Sequence, residues 1–212
     1  LRLPLKDKRR EARDAITLFD DALQFYGQKR TGDEQRLFIK TDCWHIFFHE
    51  LLRQRYPDVP FFLLYRSPDE VLRSQQKRRG MQAVPGMVEP ELLGLDAASI
   101  NYADFDGYFA GVLTNILQAF KDVQAKDSRS YLLNYAEGIV PILQKITRIS
   151  GFALSATSLQ QVEERSRYHA KYPEQPFTGE EKINELHPAL VPAMQCYEEL
   201  EAIRLSAAAN AG

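Results

Sequence analysis

The sequence predicts an α/β fold in which a mostly parallel central sheet is flanked by helices. Two observations carry that prediction. Three short apolar runs, residues 36–40, 59–65 and 130–135, have strand length, and long segments of helical spacing separate them. Strands joined through helices pair in parallel, and a run without polar alternation suits a strand covered on both faces. The 212 residues are read as one domain; 44% hydrophobic and 26% charged residues exclude intrinsic disorder.

The elements follow in order. Ala15, Ile16, Phe19, Leu23 and Tyr26 fall at helical spacing within residues 6–28, an amphipathic helix closed by Gly27 and followed by a polar turn over 29–35. Its Lys6, Lys8, Arg9, Arg10 and Arg13 are interspersed with Asp7, Glu11 and Asp14, which reads as a solvated surface or as a guide for an acidic acceptor. The buried strand 36–40 breaks at Thr41-Asp42 into a helix over 44–56, with Trp44, Phe47, Phe48, Leu51 and Leu52 on one side and Pro57 ending it. Residues 59–65 form the central strand. It runs into Ser67 as N-cap, Pro68 at the first helical position and Glu70 closing a capping box, and that helix ends at Lys77-Arg78-Arg79 before Gly80.

Residues 81–101, with Pro85, Gly86, Pro90 and Gly94, are long and irregular for a connection, which makes them a candidate functional loop or lid; Met87, Leu92 and Leu93 suggest that it shapes a partly apolar acceptor site. A helix over 104–126, the strand 130–135 and a helix over 138–150 closed by Gly151 come next. The remainder reads as a helix over 158–167, a Pro-containing loop over 168–178, a mostly helical stretch over 179–205 broken near Pro188 and Pro192, and a frayed tail over 206–212.

Charge excludes one class of partner. Lys+Arg of 27 against Asp+Glu of 29 gives a net charge of -2, so no global field draws the chain to nucleic acid or anionic lipid, and any bound anion needs a local basic site. No apolar run approaches the roughly 20 residues of a membrane helix. Cys43 and Cys196 build neither a disulfide framework nor a zinc cluster, and His45 with His49, one helical turn apart, lacks an evident third metal ligand, so no metal is expected. The default localisation is cytoplasmic.

In parallel sheets ligands bind beyond the carboxyl ends of the strands. Three places qualify: Lys40-Thr41-Asp42, Arg66-Ser67 and Asn134-Tyr135. Arg66, at a strand end and a helix start, can grip a phosphate bidentately, or it can pair with a nearby carboxylate; Asp69 and Glu70 already occupy the positive end of that helix.

The order of these motifs resembles the PAPS-dependent sulfotransferases. Arg66-Ser67-Pro68-x-x-Val71-x-x-Ser74 after Phe61-Phe62-Leu63-Leu64-Tyr65 is similar to the family's 3′-phosphate-binding segment, with a Ser eight residues after the Arg. Leu37-Phe38-Ile39-Lys40-Thr41-Asp42 looks like the strand carrying the catalytic Lys and base, Pro57-Asp58-Val59-Pro60 like the lead-in to the phosphate strand, and Tyr131-Leu132-Leu133-Asn134-Tyr135-Ala136-Glu137 like the strand and turn before the late helix ending Ile149-Ser150-Gly151-Phe152. The likeness covers residues 36–152, with a weaker echo to Phe177 and a helical C-terminal extension over 153–212. It implies a three-layer P-loop-like fold and transfer of a sulfuryl group from PAPS to a hydroxyl or amine of a small-molecule, carbohydrate, lipid or peptide acceptor. By the same resemblance Arg66 and Ser74 hold the 3′-phosphate, Lys40 stabilises developing charge, and Asp42 stands two residues after that Lys, where cytosolic members carry a His base. Asp42 is therefore the first candidate base, His45 the alternate, and an N-cap role for Asp42 the structural alternative. Arg165, Arg167 and Lys171 sit where the family carries a late basic cofactor contact, without its Arg-Lys-Gly form; a solvated charged face is the other reading.

One family feature is not found in full. The glycine-rich loop that cradles the 5′-phosphosulfate has the form Gly-x-x-[RK]-[ST]-G-[ST]; Gly27 and Gly32 share its spacing but belong to a turn after a helix, and Asp33 stands at its last position. Either an N-terminal portion precedes Leu1, which the non-Met start favours, or the protein has lost the loop. A P-loop small-molecule kinase and a noncatalytic nucleotide- or partner-binding relative are the alternatives.

Overall fold

The computed structural model describes residues 8–168, 174–176 and 185–209. The chain divides into two compact units, Leu1–Thr41 and Asp42–Gly212.

In the first unit the expected amphipathic helix forms as α1 (Lys8–Tyr26), with Ile16, Phe19, Asp20 and Leu23 sharing a half-buried stripe. Tyr26, expected on that stripe, is exposed instead. The polar turn after it is cinched by one carboxylate. Glu34 accepts the backbone amides of Thr31 at 3.0 Å, Gly32 at 3.1 Å and Arg30 at 3.2 Å, and such amide bonds, its own included, bring its carboxyl down to about 2. The strand expected at 36–40 does not form: the segment has no ladder partner among the described residues, and Leu37, Phe38 and Ile39 are about half exposed. Apolar composition favours a strand only where a neighbouring strand takes up its amides.

The second unit is mixed α/β and mostly helical. Its sheet has two parallel strands, β1 (Phe61–Tyr65) and β2 (Ser130–Asn134), in register from Phe61 opposite Ser130 to Tyr65 opposite Asn134. Side chains alternate, so Leu63, Tyr65, Leu132 and Asn134 share the face that joins the core. The expectation that β1 is central and covered on both faces is corrected: β1 pairs only with β2 among the described residues, and Leu64 on the other face is 54% exposed.

The segment expected as one helix over 44–56 is divided. Cys43–Phe48 is a 3₁₀ turn and α2 (His49–Arg55) follows it. A 3₁₀ period brings every third residue to one side, so Cys43 and Ile46 face the core and His49 is buried, while Phe47 and Phe48 face out. After β1 comes α3 (Pro68–Lys77) with Ser67 at its N-cap, but no capping box closes: the Ser67 hydroxyl donates to the Asp69 carboxylate and Glu70 turns back to Arg66. Residues 81–101 are irregular, as expected, yet they are built into the core rather than poised over it as a lid. Ala83, Val88 and Leu93 are buried, and Asn115 Nδ2 donates to the Gly94 carbonyl at 2.6 Å.

The principal core helix is α4 (Phe105–Lys126), whose Phe109, Val112, Leu113, Ile116, Leu117 and Phe120 form a buried stripe at three- and four-residue spacing. Its N-cap Asp104 accepts from Gly107 N at 2.8 Å, and a Cβ at Gly107 would lie 2.2 Å from the Asp104 carboxylate, so a larger residue there would displace the cap. β2 leads through Tyr135–Glu137 and Gly138, at φ 86, into α5 (Ile139–Ser150), and α6 (Ala156–Ser166) is capped by Ser155. α7 (Val191–Ala209) packs along α4 through Ala193, Cys196 and Leu200 and remains helical through 206–209, where fraying was expected; Pro192 lies in its first turn instead of breaking it. Both cysteines are free thiols. No helix among the described residues is long and apolar enough to cross a membrane.

Candidate functional site

Parallel pairing brings the carboxyl ends of β1 and β2 together, and the chain beyond them supplies the side chains there. Face alternation divides this end into two groups. On the core side, the Tyr65 hydroxyl donates to Glu201, Glu201 also takes Arg204 Nε at 2.9 Å and Nη2 at 2.8 Å, Arg204 Nη1 lies 3.3 Å from Glu137 Oε2, and Lys145 Nζ binds the same oxygen. Asn134, buried, donates to the Tyr197 hydroxyl at 2.9 Å and accepts Ala136 N at 2.9 Å, while Glu137 accepts Asn134 N at 3.0 Å, a closed capping box. Hydrogen bonds from Arg204 hold the Glu201 carboxyl down to about 2 against its burial, with Tyr65 adding to them. Burial works against the Glu137 carboxylate too, but Lys145, the Asn134 amide and Arg204 keep it below the usual range. Burial and the contact with Glu201 push the Tyr65 phenol far above its ordinary value, so it stays protonated. This network anchors α7 to the sheet.

The other side of the same end is different. Arg66 leaves β1 and lays its guanidinium over the Tyr135 ring, which leaves β2, at 5.1 Å from the ring centroid. Its Nε donates to Glu70 Oε2 at 2.6 Å. Nη1 and Nη2 make no hydrogen bond among the described residues. Tyr135 is half exposed, as is Leu64 beside them on the strand. The Glu70 bond uses one of the five N–H donors of the guanidinium, so Nη1 and Nη2 remain to donate to a further acceptor.

The remaining sequence candidates are placed as follows. Ser74 lies on α3, eight residues after Arg66, which at 1.5 Å per residue is about 12 Å along the helix; its hydroxyl makes no hydrogen bond among the described residues, and its carbonyl accepts Arg78 N at 3.3 Å. A ligand touching both Arg66 and Ser74 has to lie along α3. Lys40 is exposed in the first unit and Asp42 is exposed in the second. Asp42 occupies the N-cap position of the 3₁₀ turn, but its carboxylate makes no capping bond. Its carbonyl accepts His45 N and contacts His45 Nδ1, both at 3.1 Å, and the His45 ring stacks on Trp44. Arg165 is exposed on α6 and donates to the Tyr168 carbonyl at 3.2 Å; Arg167 lies 3.8 Å from Glu163. Lys171 and Phe177 lie outside the described residues.

Sequence reasoning marked Asn134-Tyr135 only as a strand end, and the Arg66–Tyr135 stack depends on parallel register that no local signal encodes. The Glu70 contact was legible, being an Arg-x-x-x-Glu pair at helical spacing.

At the amino end of the sheet lies a second polar group. Asp127 Oδ2 receives Arg53 Nε at 3.1 Å, Arg53 Nη2 at 2.8 Å and Ser130 Oγ at 2.6 Å, with His49 Nε2 at 2.9 Å. Burial alone raises the Asp127 carboxyl; Ser130, the Arg129 amide and Arg53 overcome it and hold it at about 2. His49 is pushed below 6.5 by burial, which Asp127 only partly offsets, so its neutral ring is favoured. Ser130 is almost fully buried and its hydroxyl donates a hydrogen bond to Asp127, so this His–Asp–Ser grouping has no exposed nucleophile and acts as a staple.

The chain matches no protein-family model, and comparison with curated proteins and with solved structures finds no match.

Proposed function

We propose that the protein is a PAPS-dependent sulfotransferase, and that the carboxyl end of β1 and β2 holds the 3′-phosphate of that co-substrate. The observation carrying this reading is the Arg66 guanidinium seated on Tyr135, with two terminal nitrogens directed to no protein acceptor among the described residues. The site fits the group it is assigned: a planar, permanently charged fork at a sheet's carboxyl end matches a phosphate monoester. PAPS supplies the activated sulfuryl group and departs as adenosine 3′,5′-bisphosphate.

The chain's own residues then divide the work. Arg66 binds and orients the 3′-phosphate, joined by Ser74 when the ligand lies along α3. Asp42 takes the proton from the acceptor hydroxyl or amine as the new bond to sulfur forms, with His45 as the alternate base one turn on. Lys40 offsets charge on the transferring group, and Arg165 and Lys171 are further cofactor contacts; these roles rest on the sequence resemblance. The glycine-rich loop for the 5′ side is not found in full in the 212 residues, so the reading concerns the 3′-phosphate half of the site most directly.

Two experiments test it. Titration with adenosine 3′,5′-bisphosphate should show tight binding that Arg66→Ala weakens severely; a folded protein that does not bind it contradicts the reading. In a transfer assay Asp42→Asn should abolish turnover and spare bisphosphate affinity, and a fully active variant moves the base to His45.

A further inference from the structure

Resting on that reading, we infer that two neighbours set the affinity of Arg66 in opposite directions: Tyr135 is a positioning residue that holds the guanidinium over its ring, and Glu70 is a resident anion that competes with the incoming phosphate. The geometry separates the two roles. Arg66 Cζ lies over the Tyr135 ring, 5.1 Å from its centroid, so the ring restrains the guanidinium without using any of its N–H donors. Glu70 is bonded through Nε at 2.6 Å, and Nη1 and Nη2 have no hydrogen-bond acceptor among the described residues.

The signs follow from charge and entropy. An arginine held over an aromatic ring loses less rotamer freedom when it binds, so removing the ring weakens binding. A carboxylate bonded to one edge of the guanidinium stands within a Debye length of a dianion on the other edge and repels it. Glu70 thus holds Arg66 in place while the site is empty, at a cost to affinity when the ligand arrives. Asp69 carries no such role, since its carboxylate is engaged by Ser67 and by Arg73 Nη1 at 2.6 Å.

The test is calorimetric titration of adenosine 3′,5′-bisphosphate into wild-type protein and three variants at low salt, with thermal melts to verify folding. Tyr135→Leu should weaken binding roughly 5- to 10-fold and Tyr135→Phe should restore it to within about twofold, because the ring face and not the hydroxyl is used. Glu70→Gln, which keeps the shape and removes the charge, should tighten binding roughly 3- to 10-fold, and raising the salt should shrink that gain. A purely structural role for either side chain would shift the melt and leave affinity unmoved. Weaker binding by Glu70→Gln, or unchanged binding by Tyr135→Leu, overturns the inference while wild-type binding still supports the reading. No binding by folded wild-type protein overturns both.

Discussion

The two ends of the two-stranded sheet are both polar, and they use polarity differently. At the amino end His49, Arg53, Asp127 and Ser130 satisfy one another, and Arg53 also donates to the carbonyls of Tyr56, Pro57 and Val59. At the carboxyl end the core side closes in the same manner, through Tyr65, Glu137, Lys145, Glu201 and Arg204. The outer side of that end leaves a cation over an aromatic ring with two terminal nitrogens unbonded among the described residues. Closed networks fix the fold, and an incompletely engaged cation at a strand's carboxyl end is what a ligand needs.

That contrast can be broken from either end. The largest effect is expected at the amino end, where Asp127→Ala leaves Arg53 without its counter-ion; urea unfolding should show a loss of about 3 kcal/mol or more. Next is Arg66→Ala at the carboxyl end. Two charged hydrogen bonds at about 1.5–3 kcal/mol each correspond to a drop of roughly 100-fold or more in bisphosphate affinity, with the unfolding midpoint almost unchanged.

A pH titration sharpens the comparison. His49 and Asp127 both have folded values depressed below their unfolded ones of 6.5 and 3.8. Each stabilises fully above its unfolded value and loses that stabilisation as pH falls. Stability should therefore decline below about pH 6.5 as the unfolded chain takes up the His49 proton, and decline further between about pH 4 and 2; His49→Gln should flatten the first part. A further contrast lies within one strand: Leu63→Ala should cost about 2–5 kcal/mol, whereas Leu64→Ala, the smallest effect of all, should cost under about 1 kcal/mol.

Local chemistry explains which parts of this were legible in advance. α1, α4 and α5 are written in helical spacing, α1 and α5 with closing glycines, and their described ends fall close to the expected bounds. β1 and β2 announce themselves as apolar runs. Residues 36–40 have the same composition, yet they form no strand among the described residues and Leu37, Phe38 and Ile39 remain about half exposed, because strand formation depends on a neighbour outside the segment. The 3₁₀ start before α2 was hidden for a related reason: Phe47 and Phe48 fit an α-helical stripe, and only the tighter turn exposes them. Arg66 stood out by its place at a strand end. Tyr135, Glu201 and Arg204 join that end only through parallel register and the docking of α7, contacts that span most of the chain.

The central claim is that the phosphate site lies at the carboxyl end of the sheet and not at the amino end. One measurement tests it most directly: titration of adenosine 3′,5′-bisphosphate into wild-type, Arg66→Ala and Arg129→Ala proteins, Arg129 being the exposed arginine at the amino end that pairs with Asp58. The expected result is tight binding by wild type and Arg129→Ala, and a loss of roughly 100-fold in Arg66→Ala. Equal binding by Arg66→Ala and wild type, or a loss confined to Arg129→Ala, would contradict it.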